Sequence, residues 1–402
     1  MVLLNDQDLI RGLNVALALA FIAPVWSQTG AVITGDDGST YSVVTNFDKA
    51  LRPGPYQTNG GGVVSPVGQS NPSGGLAFYT ANYTSFGRAN AFNIVGTDPS
   101  LGANTTTIPV VIVPIKLTFP NSVVLDGTNQ VPAVMNSPIF QTADFTTGGV
   151  DIGVTQFGDA IQRAEFWNLP GFSADYHVLL GGPTVAPTVS LMVPTSGCPA
   201  SAHNPGGACG STIGSGIGVV SSEFFDTQVN SMVQLFSANV LPIFLTDNVF
   251  EGFDGTAFTC CILGYHASEG PPIATAHTFI YAAYTRSETF RGNVILDVQP
   301  LSHEVAEWLN DPFVGDFMVG GINLIPPAIL PGQGRACIPN FETGDPLEAP
   351  PVVFTEVTNE VTYHLQDEVF LWWYLHGTSF GVSGYWTYLG TFTQPSTLCG
   401  PG

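Results

Sequence analysis

The chain is poor in charged residues, and basic residues are especially few. Only 10% of its 402 residues are charged, and 9 Lys and Arg stand against 31 Asp and Glu, for a formal net charge of -22. Nucleic acid and anionic membrane surfaces would both repel such a chain, so the net charge disfavours these two classes of partner. The charge is compatible with cation binding but is not evidence for it.

Long apolar segments are also scarce. The run from Val15 to Ala23 is about half of the roughly 20 residues that a membrane span needs. It follows Arg11 and precedes Val25-Trp26-Ser27, which is the order of a secretory signal cleaved near Gln28. We therefore expect residues 1–27 to be a signal peptide, the mature chain to have no transmembrane segment, and the protein to be secreted to an extracellular location. An uncleaved membrane anchor is the alternative.

Cysteine is infrequent, and no C-x-x-C pair occurs among the six cysteines. A zinc-thiolate site is therefore disfavoured, and disulfides are expected in an exported chain. Cys198 and Cys209 flank a loop of Pro, Gly and Asn that they could close. Cys260 and Cys261 are adjacent in sequence. We expect them to form disulfides with the two downstream cysteines, Cys337 and Cys399, rather than with each other.

Residues 28–104 form a Gly/Ser/Pro-rich N-terminal segment, within which the run 52–75 is typical of a loop or linker. We expect this segment to be irregular or to wrap loosely on the rest. Residues 105–402 are enough for a sizeable core, and no internal repeat is evident.

Within residues 105–402, hydrophobic patterns indicate both helices and strands. Helices are predicted over 155–167, 222–239 and 298–310, and strands over 108–119, 176–180, 185–193, 240–245, 258–265, 278–285, 361–370 and 385–392. The order is that of a zincin catalytic domain. We therefore expect an α+β fold in which a zincin-like mixed sheet carries an active-site helix and is followed by a β-rich C-terminal subdomain.

The most informative segment is Leu301–Pro312, which has the pattern H-E-x-x-E-x-x-x-D-P. On a helix, His303, Glu307 and Asp311 are four residues apart and share one face, opposite an apolar face. Zinc peptidases of the H-E-x-x-H kind build their metal site on such a helix. Here Glu307 stands where those peptidases have the second histidine.

This pattern predicts a metal site with a general base beside it. A catalytic zinc takes three protein ligands and leaves one position for water, whose pKa it lowers. We expect His303 and Glu307 to be ligands and Glu304 to take the proton from the water that attacks a carbonyl. Zinc is the expected ion. One histidine with carboxylates also suits calcium, manganese or iron.

The motif alone does not identify the third ligand. Asp311 lies on the right face, but two helical turns place it roughly 12 Å from His303 along the axis. The acidic turn that contains Glu342 and Asp345 is the better source, and we expect Glu342 to be the ligand, with Asp311 or Asp345 as a supporting or alternative one. We expect the polar side chains of the motif helix to face a cleft, and His266 could line that cleft as well.

At these positions the chain resembles the EXORDIUM-like (phosphate-induced) secreted proteins of plants and their bacterial relatives. That family has His-Glu-Leu-Ala-Glu, then Asn-Pro or Asp-Pro, then Glu-x-Gly/Ala-Asp. The matching residues here are His303, Glu304, Val305, Ala306, Glu307, Asp311, Pro312, Glu342, Gly344 and Asp345. A cysteine usually follows the acidic turn in the family, whereas Pro346 follows it here and Cys337 precedes it. The resemblance implies an extracellular protein with a role at cell walls or in growth and defines no reaction.

Two functions follow from the sequence. The first is a secreted metallohydrolase, most simply a metallopeptidase acting on a protein or peptide substrate. The second is a non-catalytic extracellular binding or structural protein, attached to a cell surface or polysaccharide, that retains a zincin-like helix. Glu304 separates them, because only the enzyme needs it as a base.

The apolar run before Ser27 yields a prediction about export. The secreted protein should begin near Gln28, because signal peptidase cleaves after small residues that follow such a run. N-terminal sequencing of secreted material checks this, and an intact Met1 would contradict it.

Overall fold

The computed structural model describes residues 31–34, 40–43, 74–85, 88–270, 275–313, 328–329, 337–338, 341–348 and 351–397. The predicted signal peptide, most of the predicted linker over 52–75 and Cys399 lie outside the described residues. Within the described residues, no helix is long and apolar enough to cross a membrane.

The fold is a mixture of helices and strands, with about 20% helix and 37% strand. The helices are α1 (Val131–Met135), α2 (Phe157–Phe166), α3 (Ser222–Val233), α4 (Gln299–Asn310) and α5 (Leu371–Tyr374). The first twelve strands are β1 (Ala31–Thr34), β2 (Thr40–Val43), β3 (Phe78–Ser85), β4 (Arg88–Val95), β5 (Asn104–Ile108), β6 (Val110–Thr118), β7 (Val124–Asp126), β8 (Ala143–Thr147), β9 (Val150–Thr155), β10 (Tyr176–Leu180), β11 (Thr184–Val185) and β12 (Val189–Met192). The others are β13 (Gly210–Ile213), β14 (Ile217–Ser221), β15 (Leu241–Asp247), β16 (Val249–Gly252), β17 (Cys260–Ile262), β18 (Gly264–Glu269), β19 (His277–Tyr284), β20 (Ala328–Ile329), β21 (Cys337–Ile338), β22 (Val353–Thr358) and β23 (Val361–Gln366). The expected α+β class is confirmed.

A mixed sheet of seven strands is the centre of the fold. Its order is β11-β6-β15-β19-β18, and β7 and β12 also pair with β6. The strands β6, β15 and β19 run parallel, and β18 runs antiparallel to β19 at the edge. A separate four-stranded sheet has the order β13-β14-β16-β17.

Side chains that alternate in direction along the central strands contribute to two apolar cores. Ile243 and Leu245 of β15 belong to one core, and Phe244 between them belongs to the other. Successive side chains of a strand point to opposite faces, which explains the split. Apolar residues of α2 and α4 pack in the first core, and those of α3 pack in the second. The central sheet therefore lies between α4 on one side and α3 on the other.

The motif helix was predicted over 298–310, and α4 spans Gln299–Asn310. Pro300 lies in the first turn, where a missing N–H costs no helical hydrogen bond. Asp311 has φ -145° and is not helical, as expected before Pro312, because a proline disfavours the helical conformation in the residue that precedes it.

The expectation of an irregular N-terminal segment is wrong for residues 78–95. Strands β3 and β4 form an antiparallel hairpin from Phe78 to Val95. Phe92 and Ile94 are fully buried in the core that also contains α4. Polar residues alternate with apolar ones along the hairpin, because only one of its faces is apolar. The sequence therefore did not indicate strands here.

Three other predictions about secondary structure are corrected. Helix α3 ends at Val233, although helical spacing continued to residue 239. The predicted strand over 258–265 is interrupted, since β17 and β18 are separate strands. Residues 385–392 form no strand, and Thr387 makes only an isolated bridge with Val369. Gly384 and Gly390, both at positive φ, turn the chain on either side of that bridge.

Two disulfides join described cysteines. Cys198 and Cys209 are bonded, which confirms that they close the local loop. Cys260 and Cys261 are bonded to each other, so the expectation that they pair with Cys337 and Cys399 is wrong. That expectation followed from their adjacency in sequence. Paired cysteines usually have Cα atoms about 4.4–6.8 Å apart, whereas these two Cα atoms lie 3.0 Å apart.

Burial of α3 yields a prediction about stability. Phe225 is fully buried, and its ring centroid lies 4.9 Å from that of Tyr281. Phe225→Ala should lower the free energy of unfolding by about 3–5 kcal/mol, since it removes buried surface and leaves a cavity. Leu235→Ala is the control, because Leu235 is 78% exposed, and it should change stability by less than about 0.5 kcal/mol. Urea unfolding followed by circular dichroism measures both, and equal effects would contradict the described packing.

Candidate metal centre

Helix α4 places three ionisable side chains in the interior. His303, Glu304 and Glu307 are all fully buried, although the sequence predicted that they would line a cleft. The helix contacts β18, β19 and β23, so both its apolar and polar faces are covered. Burying carboxylates is costly unless hydrogen bonds, ion pairs or a metal compensate, so the atoms around these three residues decide what the site can bind.

Glu307 is the residue around which the site is arranged. Its Oε1 accepts a hydrogen bond from the backbone N–H of Gly344 over 2.8 Å. Its Oε2 lies 3.1 Å from Nε2 of His303 and 3.7 Å from Nδ1 of His266. One carboxylate oxygen is therefore fixed by the backbone, and the other faces two imidazole rings.

His266 comes from the edge strand β18, and the motif did not assign it as a ligand. Its Nε2 lies 3.0 Å from the backbone oxygen of Asp311, and its Nδ1 lies 3.4 Å from Oε2 of Glu304. A carbonyl oxygen only accepts hydrogen bonds, so Nε2 is the donor and carries a proton. Metal-binding histidines usually hold their second ring nitrogen in this way.

Two groups of side chains have the geometry to hold a metal ion. The first contains His303, Glu307 and Asp345, and the second contains His266, Glu304 and Glu307. Within each group the donor atoms all lie within 4.8 Å of one another. Glu307 belongs to both groups, and the two histidines belong to different groups.

Of the other predicted ligands, Asp345 belongs to the first group, whereas Glu342 and Asp311 lie close by but belong to neither group. Asp345 begins a short 3-10 helix, Asp345–Leu347, and its Oδ1 lies 3.9 Å from Nε2 of His303. Glu342 is buried, and its Oε2 lies 3.7 Å from Nε2 of His266. The Asp311 side chain is in neither group, and this residue contacts His266 through its carbonyl oxygen. Asp345 therefore has better geometry than Glu342 for the third ligand.

Burial and neighbouring charges shift the pKa values in the site. Burial lowers the pKa of His266 to about 4, against a smaller opposing effect of Glu307. For Glu307, burial raises the pKa, but His303, His266 and the Gly344 N–H outweigh it, so the net pKa is lowered. Burial and the charge of Glu307 raise the pKa of Glu368 well above its usual value. A deprotonated Glu307 beside a neutral His266 is the state suited to binding a cation.

Sequence reasoning noted His266 only as a possible cleft residue and missed Glu368. The available signal for His266 was its place two residues into a buried strand that precedes the motif helix. His364 lies apart from the site, with its Nδ1 2.6 Å from Oδ2 of Asp297. It belongs to neither metal-binding group.

Two glycines leave the space that the site side chains occupy. A Cβ added at Gly344 would overlap the imidazole of His303, and one at Gly264 would lie 2.8 Å from Oε1 of Glu304. Only glycine therefore allows the backbone to approach these side chains so closely.

The glycine contacts yield a prediction about the site. Gly344→Ala should displace the His303 ring and lower metal affinity by about 10–100-fold, as loss of a supporting contact does. Gly182→Ala is the control, since a Cβ there meets nothing within 4 Å. Equilibrium dialysis with metal analysis compares the two variants with the wild type. Equal metal binding by all three would show that the Gly344 contact does not position His303.

Comparison with known proteins adds no relative. No protein-family model, no curated protein and no solved structure matches the chain. The interpretation of the site therefore depends on its own geometry and chemistry.

Proposed function

We propose that the chain is a secreted metallohydrolase, most simply a metallopeptidase, in which one ion is bound by His303, Glu307 and Asp345. The observation that carries the proposal is the Glu307 carboxylate, whose Oε1 is held by the Gly344 N–H while its Oε2 faces His303 at 3.1 Å. Two donor atoms bonded to one ion lie about 3.0–3.6 Å apart, which fits this pair.

The three proposed ligands include one nitrogen and two carboxylates. Zinc accepts this set, and manganese or iron suits its oxygen content as well. Calcium is the weakest choice, because it prefers six to eight oxygen ligands. When bound, the ion would polarise a carbonyl group and lower the pKa of a water molecule.

Glu304 is the proposed general base. It precedes the ligand Glu307 on the same helix, and the two carboxylates belong to one group with His266. Gly264 leaves room beside Oε1 of Glu304, and Oε2 lies 3.4 Å from Nδ1 of His266. In this arrangement Glu304 accepts the proton from the attacking water.

We include a zincin-like architecture in the same proposal. The parallel strands β6, β15 and β19 and the antiparallel edge strand β18 belong to the sheet beside the motif helix, and β18 carries His266. This order supports the analogy, although fold alone does not establish a reaction. The resemblance to EXORDIUM-like proteins supports an extracellular location.

One observation favours a second function, that of a non-catalytic extracellular binding or structural protein. All the proposed ligands are buried, with Asp345 only 1% exposed. Structural metal sites are closed, whereas catalytic sites keep one position open to water and substrate. In this alternative the ion would stabilise the fold, and the surface would bind a cell-surface polysaccharide or protein.

Substitutions in α4 distinguish these functions. Glu307→Ala should lower metal affinity by more than about 100-fold, since it removes a ligand rather than a supporting group. Glu304→Gln should keep the ion bound by His303 and lower any hydrolysis by about 10²–10⁴-fold, because the amide does not accept the proton. Glu223→Ala is the control, as Glu223 is an exposed glutamate on α3.

The measurements are metal content by mass spectrometry and hydrolysis of unfolded protein substrates. A wild-type protein that binds no zinc, manganese, iron or calcium would end the metallohydrolase proposal. Bound metal without hydrolysis, together with a large loss of stability when the metal is removed, would support the structural function instead.

A further inference from the structure

We propose that a second divalent transition-metal ion binds between His266, Glu304 and Glu307, so that two ions share the Glu307 carboxylate. The inference rests on the proposed function only for the first ion, at His303, Glu307 and Asp345. The two groups are separate because the histidines belong to different groups, and they are adjacent because Glu307 belongs to both.

The orientation of His266 carries the first step of the argument. Its Nε2 donates to the backbone oxygen of Asp311 over 3.0 Å, which turns Nδ1 toward Glu304 and Glu307. A direct N–H hydrogen bond between a charged imidazole and a carboxylate would be about 2.7–2.9 Å long. The observed distances from Nδ1 are 3.4 Å to Glu304, a long hydrogen bond, and 3.7 Å to Glu307, so neither contact is a short charge-assisted bond.

The same distances fit a shared ion. Donor atoms of one ion lie about 3.0–3.6 Å apart, so the 3.4 Å pair falls within the range and the 3.7 Å pair lies just above it. The backbone oxygen on Nε2 fixes His266 with Nδ1 directed to the proposed ion, which is the usual arrangement of a metal-binding histidine.

A single ion between both histidines is the main rival. One ion would require the donor atoms of His266 and His303 to approach each other, yet no metal-binding group among the described residues contains both. Two ions with a shared carboxylate avoid this requirement, and such pairs are about 3.5–4 Å apart in known two-metal sites. Oε2 of Glu307 faces both histidines, at 3.1 and 3.7 Å, as a bridging oxygen would.

The donor set indicates which ions would bind. Each ion would have one imidazole nitrogen and otherwise carboxylate oxygens, with one carboxylate in common. Di-iron and di-manganese carboxylate proteins use the same balance of donors. Oxygen-rich sets favour manganese and iron over the softer ions, so Mn²⁺ is the probe of choice.

The second ion also changes the role of Glu304. In the one-ion form its carboxylate is available as a base, whereas in the two-ion form its Oε2 is a ligand. The number of bound ions therefore decides how the residue acts.

The test is a titration of the metal-free, full-length protein with Mn²⁺, followed by metal analysis and electron paramagnetic resonance. The wild type should bind two ions per chain and give the broadened spectrum of a coupled pair. His266→Ala should bind one ion and give the six-line spectrum of isolated Mn²⁺. His203→Ala is the matched control, since His203 is exposed and stacks on Phe258, and it should bind two.

Two further variants keep the test informative if His266→Ala does not fold. Glu304→Gln nearly preserves size and should also reduce the stoichiometry to one, with the first ion retained. Asp345→Asn should also reduce the stoichiometry to one, in this case because the first ion is lost. Circular dichroism checks that each variant is folded.

The outcomes separate the two proposals. One ion in the wild type that persists in His266→Ala would overturn the second site and leave the first intact. One ion that is lost in both His266→Ala and Asp345→Asn would mean a single ion between the histidines, and would also overturn the second site. No bound Mn²⁺, zinc or iron in the wild type would overturn both.

Discussion

The hydrogen bond between Oε1 of Glu307 and the N–H of Gly344 is the interaction on which the rest of the site depends. It joins helix α4 to the acidic turn, two segments that are far apart in sequence. It also fixes the rotation of the carboxylate, so that Oε2 faces His303 and His266. Gly344 permits the contact because any side chain at that position would occupy the volume of the His303 ring.

Burial gives this arrangement its chemical consequence. A carboxylate in the interior loses its hydration, and the lost free energy must be recovered from hydrogen bonds, opposite charge or a metal. Helix α4 is anchored by Val305, Trp308 and Leu309 in the apolar core. Because that packing resists movement, the polar side chains on the other face keep their positions. Rigid placement lowers the cost of assembling a metal site, since the donors need little reorganisation on binding.

Local patterns predicted the local parts of the fold and site. The bounds of α4 followed from Pro300, the apolar spacing and Pro312, and β10 was predicted with its observed ends, Tyr176–Leu180. The loop closed by Cys198 and Cys209 was also a local inference. Each of these features is decided by neighbours in sequence, which is the information that patterns contain.

Features that depend on distant contacts were missed or only partly predicted. His266 reaches the site only because β18 pairs antiparallel with β19 at the edge of the sheet, beside α4. The β3–β4 hairpin is stabilised by packing against the core, and its polar composition suggested a loop. Cys260 and Cys261 are adjacent in sequence, which argued against a bond between them because paired cysteines usually have more widely separated Cα atoms.

The D-P end of the motif shows how a correct pattern can have an unexpected physical role. Helical periodicity put Asp311 on the metal-facing side, but the distance along the axis put it out of reach of His303. Pro312 forces Asp311 out of the helix, and the carbonyl oxygen of this non-helical residue accepts a hydrogen bond from Nε2 of His266. The backbone of Asp311 therefore orients a histidine from another strand. A residue chosen for its carboxylate contributes through its main chain, because the end of the helix, rather than its periodicity, decides where that residue lies.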